Sequence, residues 1–163
     1  MMRFKKLILL FLALLFPVCI FLFLRIFGKN EFSVPPLYSD KYPEGMTDCG
    51  VTVDLPYHIP DSIQASLSQS NQDLTLVHFE SLGVETKKQL EKAMVEQHNQ
   101  IAMVTLRNSD TNARIRKCVF FLKEPYDLVL VDDEGTIKGQ YASGDRDEID
   151  RLKMELSILL KKY

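Results

Sequence analysis

The chain has 163 residues, 46% of them hydrophobic, with 20 Lys+Arg against 22 Asp+Glu and a net charge of −2. Five of the basic residues (Arg3, Lys5, Lys6, Arg25 and Lys29) precede residue 30, which leaves 15 basic against 22 acidic and a net charge of −7 for the rest. An acidic body of that size carries one small core, and it excludes nucleic acid or an anionic membrane surface as partner, since both select basic patches.

Leu7 to Leu24 is an uncharged run of 18 residues, close to the minimum that spans a bilayer as a helix. Residues 1–29 are therefore expected to be a cytoplasmic tip and a transmembrane anchor. Basic residues ahead of the run favour a cytoplasmic N-terminus. The rival is a cleaved signal peptide, whose apolar region is shorter and ends at a small-residue site. This run ends instead in Phe-Leu-Arg-Ile-Phe. Cys19 lacks the small neighbours of a lipidated cysteine and reads as an apolar residue inside the helix, which Pro17 kinks.

Residues 30–61 contain Pro35, Pro36, Pro43, Pro56 and Pro60 with Gly45 and Gly50. Proline fixes its own dihedral and restrains the residue before it, so this is an extended linker. The domain is expected over 62–163. DLTLVHFE (Asp73–Glu80) reads as a strand. Glu85–His98 sets Leu90, Ala93, Met94 and Gln97 on one face of a modest helix. IAMVTL (Ile101–Leu106) is a second buried-type strand. Ser109–Lys117 is polar, a loop or one helical turn, and CVFFL (Cys118–Leu122) fits no single type. Asp127–Asp132 and Thr136–Tyr141 form a hairpin about Asp133-Glu134-Gly135. Asp145 and Glu148 make a capping-box-like start, after which Ile149, Leu152, Leu156, Leu159 and Tyr163 repeat at helical spacing. The order is β-α-β, then β-hairpin-α. A right-handed crossover makes the first two strands parallel. The expectation is an α/β, thioredoxin-like layered domain preceded by one N-terminal transmembrane helix.

LVLVDDEGTIKGQYASGDRDEIDRL (Leu128–Leu152) resembles the C-terminal block of the SenC/Sco family, membrane-anchored thioredoxin-like proteins of cytochrome oxidase assembly. FGKNEFSVPPLY (Phe27–Tyr38) and PYHIPD (Pro56–Asp61) resemble the region after the anchor in bacterial members. The resemblance implies a bacterial inner-membrane protein with its domain in the periplasm. It also implies respiratory-complex assembly proteins as partners, beside the membrane itself. The family's chemistry sits on a Cys-x-x-x-Cys at the turn after the first core strand, with a distant His before the strand matching Leu128–Asp132. Such a thiolate pair suits the soft ion Cu(I) or exchanges a disulfide. Here the matching turn, ESLGVETKKQL (Glu80–Leu90), has no cysteine, and the His position falls in Lys123-Glu124-Pro125. The resemblance is thus to a degenerate member: an accessory or binding protein with no catalytic residue, cofactor or metal and without copper delivery.

Cys49 and Cys118 are the two cysteines outside the apolar run. In an extracytoplasmic setting they are expected to form a disulfide, which would stabilise a loop of that length by about 4 kcal/mol. Two free thiols are the alternative. A copper-binding or thiol-redox protein using Cys49 and Cys118, with His58 or His78 completing a Cu(I) site, is the rival function. His78 is otherwise a structural strand residue facing away from Val77 and Phe79. His58 reads as a linker residue, and His98 lies near a helix end, where a cation suits the dipole. Asp132-Asp133-Glu134 reads as a solvated acidic turn rather than a site for a hard cation. Pro125 is expected to be a trans turn residue, since few X–Pro bonds are cis in folded proteins. No Ser-His-Asp order, zinc spacing, P-loop or dinucleotide fingerprint is present.

Overall fold

In the computed structural model, which describes residues 2–27, 33–67, 72–79, 82–96, 100–107 and 109–160, the chain divides into two units. The first, Met1–Phe32, is built on one helix, α1 (Met2–Phe27), with Pro17 inside it. Phe11, Leu14, Phe16 and Phe21 on this helix are exposed. Among the described residues no helix is long and apolar enough to cross a membrane. The expected transmembrane anchor over residues 1–29 is therefore corrected. With it falls the inner-membrane placement with a cytoplasmic N-terminus and a periplasmic domain. The uncharged run Leu7–Leu24 lies at the low end of the roughly 17–25 residues that span a bilayer, and Lys6 and Arg25 bound it.

The second unit, Ser33–Tyr163, is built on four strands: β1 (Leu74–His78), β2 (Ile101–Thr105), β3 (Leu128–Asp132) and β4 (Ile137–Tyr141). They form one mixed sheet in the order β2-β1-β3-β4. Helix α2 (Asp61–Leu67) precedes the sheet, α3 (Val84–Glu96) links β1 to β2, α4 (Asp110–Cys118) links β2 to β3, and α5 (Arg146–Leu160) ends the described chain. The β1–β2 pair is parallel, as a crossover through α3 requires, and β1–β3 and β3–β4 are antiparallel. The corrected fold class is α/β, a four-stranded mixed sheet with five helices among the described residues and no spanning anchor.

Strand β1 is buried at all five positions because it has a neighbour on each side and layers on both faces. On one face Val77, Val129, Val131 and Ile137 pack with Tyr57, Ile59, Leu67 and Phe120–Leu122. On the other, Leu74, Leu76, Leu128, Leu130 and Tyr141 meet Leu90 of α3 and Ile149, Leu152 and Leu156 of α5. The polar stretch after Ser109 is a helix of nine residues, longer than a single turn. Ser109 caps it, its hydroxyl accepting the Asn112 N–H at 3.2 Å, which satisfies one donor the helix start leaves open. At the start of α5 the Asp145 carboxylate accepts the Asp147 N–H at 2.9 Å, while Glu148 is taken by Arg151 at 2.7 Å. The reciprocal half of a capping box is therefore not made.

Residues 33–60 run irregularly against this sheet, through turns at 37–38 and 44–46 and one turn of 3₁₀ helix at Thr47–Cys49. The Leu37 N–H donates to the Ile137 carbonyl at 2.7 Å and the Ile59 N–H to the Gly135 carbonyl at 2.9 Å. The β4 edge, which would otherwise present unpaired backbone, is thus covered by the proline-rich stretch, and Tyr57 and Ile59 join the core.

Candidate functional site

The turn from β1 into α3 is where a reactive thiol would gain most, at a helix N-terminus. Leu82 and Gly83 lead into Val84, Glu85 and Thr86 of α3, with no sulfur at any of them. Thr86 donates from its hydroxyl to the Ser143 carbonyl at 3.4 Å. Beside this turn the loop before β3 carries Lys123, Glu124 and Pro125. The Glu124–Pro125 peptide is cis, as is Leu55–Pro56, so the expected trans bond at Pro125 is corrected. Arg116 of α4 reaches this loop, its Nη2 donating to Glu124 Oε1 at 2.9 Å and to the Tyr126 carbonyl at 2.8 Å. Asp127 is buried and accepts the Ser143 N–H at 2.6 Å together with the Ser143 hydroxyl. That carboxylate fixes the start of β3 to the turn after β4.

The histidines are dispersed. His78 is 6% exposed, and its Nε2 lies 2.6 Å from the Thr105 hydroxyl on the neighbouring strand. Strand alternation sets it on the face of Leu74 and Leu76, opposite Val77 and Phe79. His58 is exposed, bridges to Thr136 and has Nδ1 3.0 Å from the Glu134 carbonyl. His98 lies outside the described residues.

Cys49 and Cys118 are joined as a disulfide, with Cα atoms 5.6 Å apart. Cys49 ends the 3₁₀ turn, which Gly50 closes at φ 62°, and Cys118 is the last residue of α4. Both are half-buried. Val53, Tyr57, His58 and Cys118 are among the residues that line a cavity of about 430 Å³ beside the bridge. While the bridge is closed neither sulfur is a thiolate, the form that attacks or binds metal. Among the described residues no group of three His, Cys, Asp or Glu side chains could hold a metal ion.

Next to the bridge lies an aromatic cluster. Phe121 adopts φ 51°, a backbone conformation that costs a bulky residue energy and persists only where its surroundings enforce it. Its ring is held edge-on between Tyr57, 5.2 Å away, and Tyr38, 6.0 Å away. Tyr57 donates its hydroxyl to the Val119 carbonyl at 2.8 Å. Burial, with Tyr38 adding to it, pushes its pKa up to about 12. Tyr38 is also raised by burial, against the hydrogen bond from Gln140. The clue to this cluster was the Phe-Phe of CVFFL together with two tyrosines in a stretch read as linker.

In the acidic turn the Asp132 carboxylate is held by Thr136 and Lys138, while Asp133 and Glu134 are engaged through their backbone. Burial raises the Asp132 pKa, but the Thr136 hydroxyl and N–H and the Lys138 ammonium, 2.9 Å away, outweigh that and hold it below the ordinary value. Asp133 and Glu134 are exposed. The arrangement thus places an aromatic and apolar recess beside a closed disulfide, with the Asp127 and Asp132 carboxylates hydrogen-bonded. No protein-family model and no curated protein matches this chain.

Proposed function

We propose that this protein is a non-enzymatic accessory or binding protein that resembles the SenC/Sco family, acting beside respiratory-oxidase assembly without delivering copper or exchanging disulfides. One observation carries the reading. The turn where that family's thiol pair would sit runs Leu82-Gly83-Val84-Glu85 with no cysteine, while the domain's two cysteines are spent on each other elsewhere. The strand order and the β-α-β then β-β-α connectivity support the likeness, and Leu128–Leu152 covers β3, β4 and the first half of α5. The link to the oxidase comes from the family resemblance.

A copper-binding or thiol-redox protein remains the second reading, favoured by Cys118 and His58 lining one cavity. Titration of the reduced chain with Cu(I) separates the two. The accessory reading expects no tight stoichiometric binding. Stoichiometric uptake that disappears in Cys49→Ser overturns it and establishes the second. The link to the process is tested by deleting the protein from its cell, which should lower assembled oxidase in haem spectra. Unchanged oxidase removes that link.

A further inference from the structure

Tyr38 and Tyr57 stand together although 18 residues separate them. The Tyr57 N–H donates to the Tyr38 carbonyl at 3.0 Å, and the two rings meet edge-on at 6.3 Å. Residues 39–56 are thus a loop closed at its base, with Cys49 in its 3₁₀ turn. Among the described residues the backbone bonds of this loop stay within it. The Asp48, Cys49 and Gly50 N–H groups donate to the Gly45, Met46 and Thr47 carbonyls at 3.1, 3.1 and 3.2 Å. None joins the loop to the sheet.

The non-covalent ties from the loop to the rest of the domain are thin. Met46 and Val53 pack against the core while only partly buried, and Pro43 is buried. Glu44 pairs with Lys123 at 2.7 Å and Asp48 approaches Lys117 at 4.0 Å. All four of those side chains are more than half exposed, where an ion pair holds little. Ordering the loop costs conformational entropy at every residue. The Cys49–Cys118 bridge offsets that cost through the chain itself, without a packed interface. Two recesses depend on the loop. Val51, Thr52 and Val53 wall the cavity of about 430 Å³ that Cys118 also lines. Lys41, Tyr42 and Glu44 wall another, of about 310 Å³, against Phe121 and Tyr126.

We infer that the Cys49–Cys118 bridge is a redox latch, which holds this loop against the domain and releases it when a dithiol reduces the bridge. The cavity at Cys118 gives the reductant its way in. A thiolate of the dithiol bonds to Cys118 Sγ, the Cys49–Cys118 bond breaks, and Cys49 leaves as a thiolate with the loop. The second sulfur of the dithiol then attacks the mixed disulfide and frees Cys118. In sum the bridge gains two electrons and two protons, and the dithiol becomes a disulfide. Released, the loop opens both recesses, while backbone bonds from Leu37 to Ile137 and from Ile59 to Gly135 keep its flanks in place. The protein is here the target of thiol exchange and not its catalyst, so the inference is independent of any role in oxidase assembly.

Amide relaxation of the full chain is measured in three samples: oxidised, reduced with dithiothreitol, and Cys49→Ser/Cys118→Ser without reductant. Mass spectrometry of the folded protein verifies that dithiothreitol opens the bridge. Order parameters over residues 44–54 should fall from about 0.85 when oxidised to below about 0.6 in the other two samples. Those of β1, β3 and α5 should not move, and reoxidation should restore the loop. A bridge that dithiothreitol leaves closed in the folded protein overturns the inference. So does a loop already mobile when oxidised, a loop still ordered once the bridge is open or absent, or an equal loss of order in β1 and β3.

Discussion

Opening the Cys49–Cys118 bridge frees a loop whose ends are 69 residues apart. In the chain-entropy treatment a closed loop of that length stabilises the folded state by about 4 kcal/mol, because the cross-link restricts the unfolded chain. A domain of ordinary stability holds only about 5–15 kcal/mol, so the loss is a large share without being all of it. The packing that remains is substantial: Tyr57 and Ile59 stay in the core, and backbone bonds from Leu37 and Ile59 still reach Ile137 and Gly135. The domain should therefore stay folded with a Tm lower by about 12–20 °C, at about 3–5 °C per kcal/mol for this size. Circular dichroism melts of the full chain with and without reductant, and of the Cys49→Ser/Cys118→Ser double variant, measure it. Replacing both cysteines avoids leaving one reactive thiol. Non-reducing peptide mass spectrometry checks the linkage in the same samples. A linked protein whose Tm moves by less than about 3 °C on reduction refutes the loop-entropy reasoning. Alkylation of both thiols in the native, unreduced protein removes its premise.

Gly139→Ala should destabilise the domain by about 1–3 kcal/mol in denaturant melts. A Cβ there would lie 2.6 Å from Cζ of Tyr141, a ring that is fully buried, bonded to Glu155 and stacked under Arg151; wild-type stability would mean the ring moves freely. Leu152→Ala, at a fully buried position on α5, should cost about 2–5 kcal/mol, and a loss below about 1 kcal/mol would contradict the packing of α5 on the sheet. Asp132 is held below its ordinary value of 3.8, so in the acid range the unfolded chain binds more protons. Its contribution is whole above about pH 4 and lost as pH falls through the folded value; Asp132→Asn should erase that part of the acid-unfolding curve, and an unaltered curve speaks against the Thr136–Lys138 pairing. Tyr57 is raised from 10.0 to about 12, so its contribution is whole below pH 10 and lost as pH rises through about 12. Tyrosinate absorbance should lose one late-titrating group in Tyr57→Phe, while Tyr38 and Tyr141, which burial also raises, stay late.

Periodicity alone determined what depends on neighbours a few residues apart. The helical repeat of Ile149, Leu152 and Leu156 named three residues that are buried on α5. Strand alternation set His78 on the face away from Val77 and Phe79. The acidic-Gly turn between two β-rich runs marked the β3–β4 hairpin, where Gly135 adopts φ 79°. Tertiary structure decided the rest. The segment α4 has too few apolar residues to announce a helix, since its helicity depends on the Ser109 cap, the disulfide and the Arg116 bonds to a distant loop. The proline-rich stretch shows no periodicity because it is held by backbone bonds to the β4 edge and by isolated anchors, Tyr57 and Ile59. The uncharged run Leu7–Leu24 predicted a helix correctly, but apolarity near the length threshold did not make it a spanning one. The partner of Cys49 and the neighbours of Phe121 are set by where β1, β2 and the loop before β3 end in space. A linear pattern encodes which face a residue points to, but contacts 40 to 100 residues apart exist only once the sheet has brought the ends of its strands together.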